Sequence, residues 1–167
     1  MRRTALLAWL LAPMLALAGF GPAAPLQTAR IGGLELDYDP ARWRVENRGA
    51  LHVDLALRDR HGGPQDTVVL IAELDYGGPC SSEAMAALAP PAIGFNGHHR
   101  TRTLASGLVL HAALGDSGCR NWAPRRVAAC VVHRGQTVLF RPPPRGCRGW
   151  GGDDEAVLAV LEGLRPR

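Results

Sequence analysis

The chain has 167 residues, of which 47% are hydrophobic, so it can bury a core and does not belong with low-hydrophobicity disordered chains. The formal charge is only +4, and all 19 basic residues are arginine. Four cysteines occur without any Cys-x-x-Cys spacing, which argues against both a thioredoxin-like redox site and a zinc knuckle.

Met1-Arg2-Arg3 is a short positive segment, Ala5 to Ala12 is an apolar run broken by Pro13, and Ala16-Leu17-Ala18 is a small-x-small site. This order reads as a cleaved export signal over residues 1–18, with cleavage as late as Ala24 as the alternative. The run is too short and interrupted to span about 30 Å of hydrocarbon, so no membrane anchor is expected after cleavage. Leu17-Ala18-Gly19 resembles the front of a lipobox, but Phe20 follows instead of cysteine. An export signal with an even cysteine count implies an oxidising compartment, periplasmic or secreted, and two disulfides.

Residues 19–29 read as a flexible leader, and a single domain is expected over 29–164. Leu34, Leu36 and Tyr38 alternate with acids as a half-buried strand ended by a turn at Asp39-Pro40, and Trp43 and Val45 continue a second strand. Leu51, Val53, Leu55 and Leu57 alternate with His52, Asp54, Ala56 and Arg58, the cleanest period-two pattern in the chain. Thr67 to Leu74 is apolar on both faces and predicts a strand covered on both sides. After Cys80, Ser81 or Ser82 caps a helix that Pro90-Pro91 stop. Arg100 to Ala105 and Leu108 to Leu114 read as a hairpin about Ser106-Gly107. Arg126 to His133 and Gln136 to Pro142 form another about Arg134-Gly135. Asp153-Asp154-Glu155 opens a last helix with Val157, Leu158, Val160, Leu161 and Leu164 on its apolar face.

With Arg134 and Gly135 in the turn, Cys130 faces Leu139, Val131 faces Val138 and Ala129 faces Phe140. One face then carries Ala129, Val131, Val138 and Phe140, and the other Ala128, Cys130, Val132, Thr137 and Leu139. Both need cover. The expected fold is therefore α+β, an antiparallel sheet with helices packed on its two sides. In the same register Cys119 and Cys147 lie near the open end of the hairpin. Cys80, just before a helix, can reach Cys130. The expected bridges are Cys80–Cys130 and Cys119–Cys147; the rival is Cys80–Cys119 with Cys130–Cys147.

The opening Gly33-Leu34-x-Leu36-x-Tyr38-x-Pro40-x-x-Trp43-x-Val45 resembles the start of PsbP/Mog1-like domains, and the later order of strands, helix, two hairpins and closing helix is similar to theirs. That resemblance implies an antiparallel sheet between helices and an accessory or partner-binding role before a catalytic one.

Charge is separated along the chain. Residues 30–83 carry 6 Arg against 10 acids, whereas residues 96–149 carry 9 Arg against Asp116 alone. Arg100, Arg102, Arg120, Arg125 and Arg148 near Trp122 are expected to form a basic patch, because guanidinium forks match carboxylate and phosphate. The bland alternative is that they pair with the acidic half inside one fold. An acidic protein or an anionic envelope component is the expected partner, and nucleic acid is not, given export. The histidines offer little chemistry. His98-His99 point to opposite strand faces, His52 and Asp54 share the solvent face of one strand at the spacing of a proton-transfer pair, and His111 is expected opposite Arg102. No Gly-x-Ser-x-Gly or His-Glu-x-x-His occurs. No catalytic residue, metal or cofactor is assigned. The reading is an exported binding or accessory protein; the alternative is a small secreted hydrolase with an unrecognised His/carboxylate site.

Overall fold

The computed structural model describes residues 25–49, 51–57, 67–89, 98–116, 125–142 and 154–167. Among them the chain forms β1 (Gln27–Ile31), β2 (Leu34–Tyr38), β3 (Trp43–Asn47), β4 (His52–Leu57) and β5 (Thr67–Leu74), then helix α1 (Ser82–Leu88). There follow β6 (His98–Thr103), β7 (Val109–Asp116), β8 (Arg125–His133) and β9 (Gln136–Arg141), then helix α2 (Asp154–Leu161) and β10 (Leu164–Pro166). The strands make a seven-stranded sheet, β3-β4-β5-β9-β8-β7-β6, and a three-stranded sheet, β1-β2-β10. Every described pairing is antiparallel, as the alternating patterns predict.

The β8–β9 hairpin lies inside the larger sheet. Its turn has φ 51° at Arg134 and 79° at Gly135. Two left-handed residues make the type I′ geometry, whose twist matches that of the flanking strands. The register is the expected one, with Ala129 opposite Phe140, Cys130 opposite Leu139 and Val131 opposite Val138. Ala129, Val131, Val138 and Phe140 enter a large core shared with the small sheet (Ile31, Leu34, Leu36, Leu164) and α2 (Val157, Leu158, Leu161). Ala128, Cys130 and Leu139 enter a smaller core on the opposite face, under Met85 and Ala89 of the α1 segment. The two helices therefore cover opposite faces of one sheet. Toward the turn the second face emerges from cover, and Val132 is 51% exposed.

Helix α1 starts where the serines predict. Ser81 has extended backbone, and its Oγ accepts the Ala84 N–H at 3.1 Å. A disulfide joins Cys80 to Cys130, with Cα atoms 5.7 Å apart. It ties the entrance of the helix to the middle of β8. Cys119 and Cys147, expected to form the second bridge, lie outside the described residues.

Three features depart from the sequence reading. First, the β6–β7 turn has three residues, not two. Gly107 N–H bonds Leu104 O at 2.9 Å, Leu104 N–H bonds Leu108 O at 2.8 Å, and Gly107 has φ 83°. This is a turn closed by a left-handed glycine bulge. Leu104 and Leu108 are thereby both buried, and the register moves by one residue. His111 stands opposite Thr101, not Arg102, and the Thr101 hydroxyl lies 3.1 Å from His111 Nδ1. Second, β1 begins at Gln27, within the stretch read as a leader, and zips onto β2. Third, the chain does not end in helix. It turns at Glu162-Gly163 and adds β10 to the other side of β2, with Leu164 opposite Leu36.

The Cys80–Cys130 bridge spans 50 residues of sequence. In the chain-entropy account, closing such a loop stabilises the fold by about 4 kcal/mol. Replacing both cysteines by alanine is expected to lower the denaturation midpoint and to raise the slope, because the uncrosslinked unfolded chain exposes more surface. A midpoint equal to that of the parent would show that the bridge constrains nothing.

Candidate functional site

Two of the six residues expected in the basic patch have described side chains. Arg100 and Arg102 are two apart on β6, so they share one sheet face, and both are exposed. Their partners come from α2 and the turn after it. Arg100 Nη2 lies 3.1 Å from Glu155 Oε1, and Arg102 bonds Glu162. The acids are thus those of the C-terminal segment, not those of residues 30–83. Glu155 is expected from sequence only as part of an acidic helix start, and neither it nor Glu162 is expected as an arginine partner, although an acid at each end of an amphipathic helix is a visible signal. Arg125 sits in β8 opposite Asp116 in the ladder, but its side chain is not described. Arg120, Trp122 and Arg148 lie outside the described residues.

The opposite face of the sheet carries a charged strip across β3, β4, β5 and β9. His52 stands directly across from Glu73, and His52 Nε2 lies 3.3 Å from Glu73 Oε1. Glu73 also accepts a hydrogen bond from Arg141, which is diagonal to it on β9. The Arg141 guanidinium holds the Glu73 carboxyl below its ordinary value of 4.5, against the opposing effect of partial burial. Asp54, expected to share a solvated face with His52 as a proton-transfer pair, is buried to 7% exposure. Its carboxylate takes Arg48 Nε at 2.5 Å. A buried carboxylate needs a cation, and the nearer cation wins. The His/carboxylate pair on this strip is therefore His52 with Glu73. Arg44 Nε lies 2.9 Å from Glu46 Oε1 at the edge of the strip.

A shallow cleft of about 510 Å³ opens between β1 and β3, lined by Thr28, Arg30, Glu35, Tyr38, Asn47 and Arg165 among others. Arg165 crosses from β10 to β2, bonding Asp37 and lying 2.8 Å from Glu35 Oε2. Asp37 also accepts the Thr28 hydroxyl at 2.6 Å. Arg165 first, and Thr28 second, hold the Asp37 carboxyl below its ordinary value of 3.8. These contacts fasten the small sheet together.

Among the described residues no group of three or more His, Cys, Asp or Glu side chains is placed to hold a metal ion. No described helix is long and apolar enough to cross a membrane. No family model matches the chain, and no curated protein matches it either.

The two depressed carboxyls set an acid limit. Stability from Glu73 and Asp37 is fully present above their ordinary values of 4.5 and 3.8 and is lost as pH falls through their lower folded values. Glu73→Gln is expected to cost about 1–2 kcal/mol at pH 7 by removing the charge-assisted bond to Arg141. The same variant should lose less stability than the parent between pH 5 and pH 2. Parallel stability curves for the two proteins over that range would contradict the assignment.

Proposed function

We propose that the chain is an exported binding or accessory protein that engages an anionic partner through an arginine-rich surface. The observation that carries this reading is the pair Arg100 and Arg102, side by side and exposed on the edge strand of the larger sheet. They belong to a stretch, residues 96–149, with 9 Arg and one acid. Exposed ion pairs such as those to Glu155 and Glu162 are worth at most about 1 kcal/mol, so a partner carrying several carboxylates or phosphates can displace them. Arg120, Arg125 and Arg148, with Trp122, complete the proposed surface. The partner is an acidic protein or an anionic envelope component.

Export rests on the leader over residues 1–18 and is supported by the Cys80–Cys130 disulfide, since such bonds persist in the periplasm and outside cells. A second bridge, Cys119–Cys147, belongs to the same reading. So does kinship with PsbP/Mog1-like domains, which rests on the opening pattern from Gly33 to Val45. The hydrolase alternative has one feature in its favour, the His52–Glu73 pair anchored by Arg141. That pair is not among the residues lining the described cleft.

Retention on a polyanionic resin tests the reading. The parent should bind at low salt and elute as screening shortens the reach of its charges to below about 10 Å. Arg100→Gln with Arg102→Gln should elute at clearly lower salt, with unchanged thermal stability to within about 1 kcal/mol. Equal elution of parent and variant would remove the support for this surface.

A further inference from the structure

The outer side of β6 offers backbone as well as charge. Leu104 and Leu108 form a hydrogen-bonded pair at the closed end of the β6–β7 ladder. Bonded and non-bonded pairs alternate along an antiparallel ladder. Arg102 with Leu110 and Arg100 with Ala112 are therefore bonded pairs, whereas Thr103 with Val109, Thr101 with His111 and His99 with Ala113 are not. The short Thr101–His111 side-chain contact fits the closer approach of a non-bonded pair. The N–H and C=O groups of His99, Thr101 and Thr103 consequently point away from β7. β6 ends the order of its sheet, and among the described residues no strand pairs with its outer side. His99 to Thr103 are exposed throughout.

A free edge of this kind is a template for another strand. Its charges decide which strand fits. Two copies of β6 paired antiparallel about Thr101 would set Arg100 against Arg102 twice on one face. Like charges directly opposite are destabilising, so the edge repels its own copy. The same two arginines favour a guest with acids at alternate positions, which a strand presents on one face.

We propose that β6 accepts an extended acidic peptide segment of a partner protein as an additional strand. The outward groups of His99, Thr101 and Thr103 bond the guest backbone, and its alternate Asp or Glu side chains meet Arg100 and Arg102. This rests on the anionic-partner reading and adds a strand-forming polypeptide to it. In the free protein Glu155 and Glu162 occupy the arginines that the guest's carboxylates would take.

The test uses the full chain with its disulfide intact and three probes: a synthetic peptide alternating Glu and Thr, a version of equal charge with proline in place of its central threonines, and inorganic polyphosphate. The alternating peptide should slow amide exchange at His99, Thr101 and Thr103 by about tenfold or more. It should leave Arg100 and Arg102, already bonded to β7, unchanged. Thr101→Pro removes an outward N–H without touching the β7 ladder. It should weaken the alternating peptide about tenfold and leave polyphosphate binding as it was. Glu155→Gln with Glu162→Gln should strengthen the peptide. If the proline-bearing peptide binds as tightly, or the three amides gain no protection, strand addition is wrong while the anionic reading stands. If none of the three probes binds, both are wrong.

Discussion

Cys130 and Leu139 face each other across a turn that only left-handed residues make, and most of the molecule depends on that pairing. Side chains alternate along a strand with a period of two, so a slip of one residue would exchange the two faces of β8 relative to β9. Cys130 would then oppose a residue of the other face, and the disulfide to Cys80 and the seat of Met85 would be mismatched with the strand beside them. In the observed register Phe140 is fully buried on one side and Leu139 nearly so on the other. Each such side chain contributes about 1.5–3 kcal/mol of burial, in opposite directions from one ladder. The hairpin thus joins the core under α2 to the core under α1, and the disulfide holds the smaller of the two closed.

Charge is arranged around these cores at the rims. Arg165 fastens β10 to β2, Arg141 fastens β9 to β5 through Glu73, and Arg100 and Arg102 lean on the acids at the two ends of α2. Each pair joins segments far apart in sequence. The pairs differ in what they can release. Glu73 and Arg141 are partly buried and serve the fold, whereas Arg100 and Arg102 stand on an exposed edge where their glutamate partners can be exchanged. That difference, more than the total charge, separates structural arginines from those proposed to bind.

The β8–β9 hairpin was legible because Arg134-Gly135 admits two left-handed residues and leaves one register that buries Phe140 and Val138 together. Ser106-Gly107 looked like the same device but was not. Leu104 and Leu108 both gain burial if the loop takes a third residue, and tertiary packing overrode the dipeptide signal. Gln27–Ile31 is mostly exposed and polar, and Leu164–Pro166 is three residues ending in proline, so neither carries a strand pattern of its own. Both are strands because β2 lies between them. His52 with Asp54 failed as a pair for a different reason. Two residues on one strand share a face, but burial and the position of Arg48 are properties of the neighbouring strand and loop, which spacing does not encode. For the surface at β6, the arginine excess was visible in sequence, whereas the identity of its internal partners, Glu155 and Glu162, needed the fold.

The central claim, that the β8–β9 hairpin and its disulfide hold the two cores together, is tested most directly by native-state hydrogen exchange before and after reduction. The account predicts that the ladder amides of Ala129, Val131, Val138 and Phe140, which bond across the hairpin, are among the slowest in the oxidised protein. After reduction of Cys80–Cys130, amides of α1 should exchange first, by local opening, while the hairpin retains most of its protection. Hairpin amides that exchange as fast as those of β1 or β10 in the oxidised protein would contradict it.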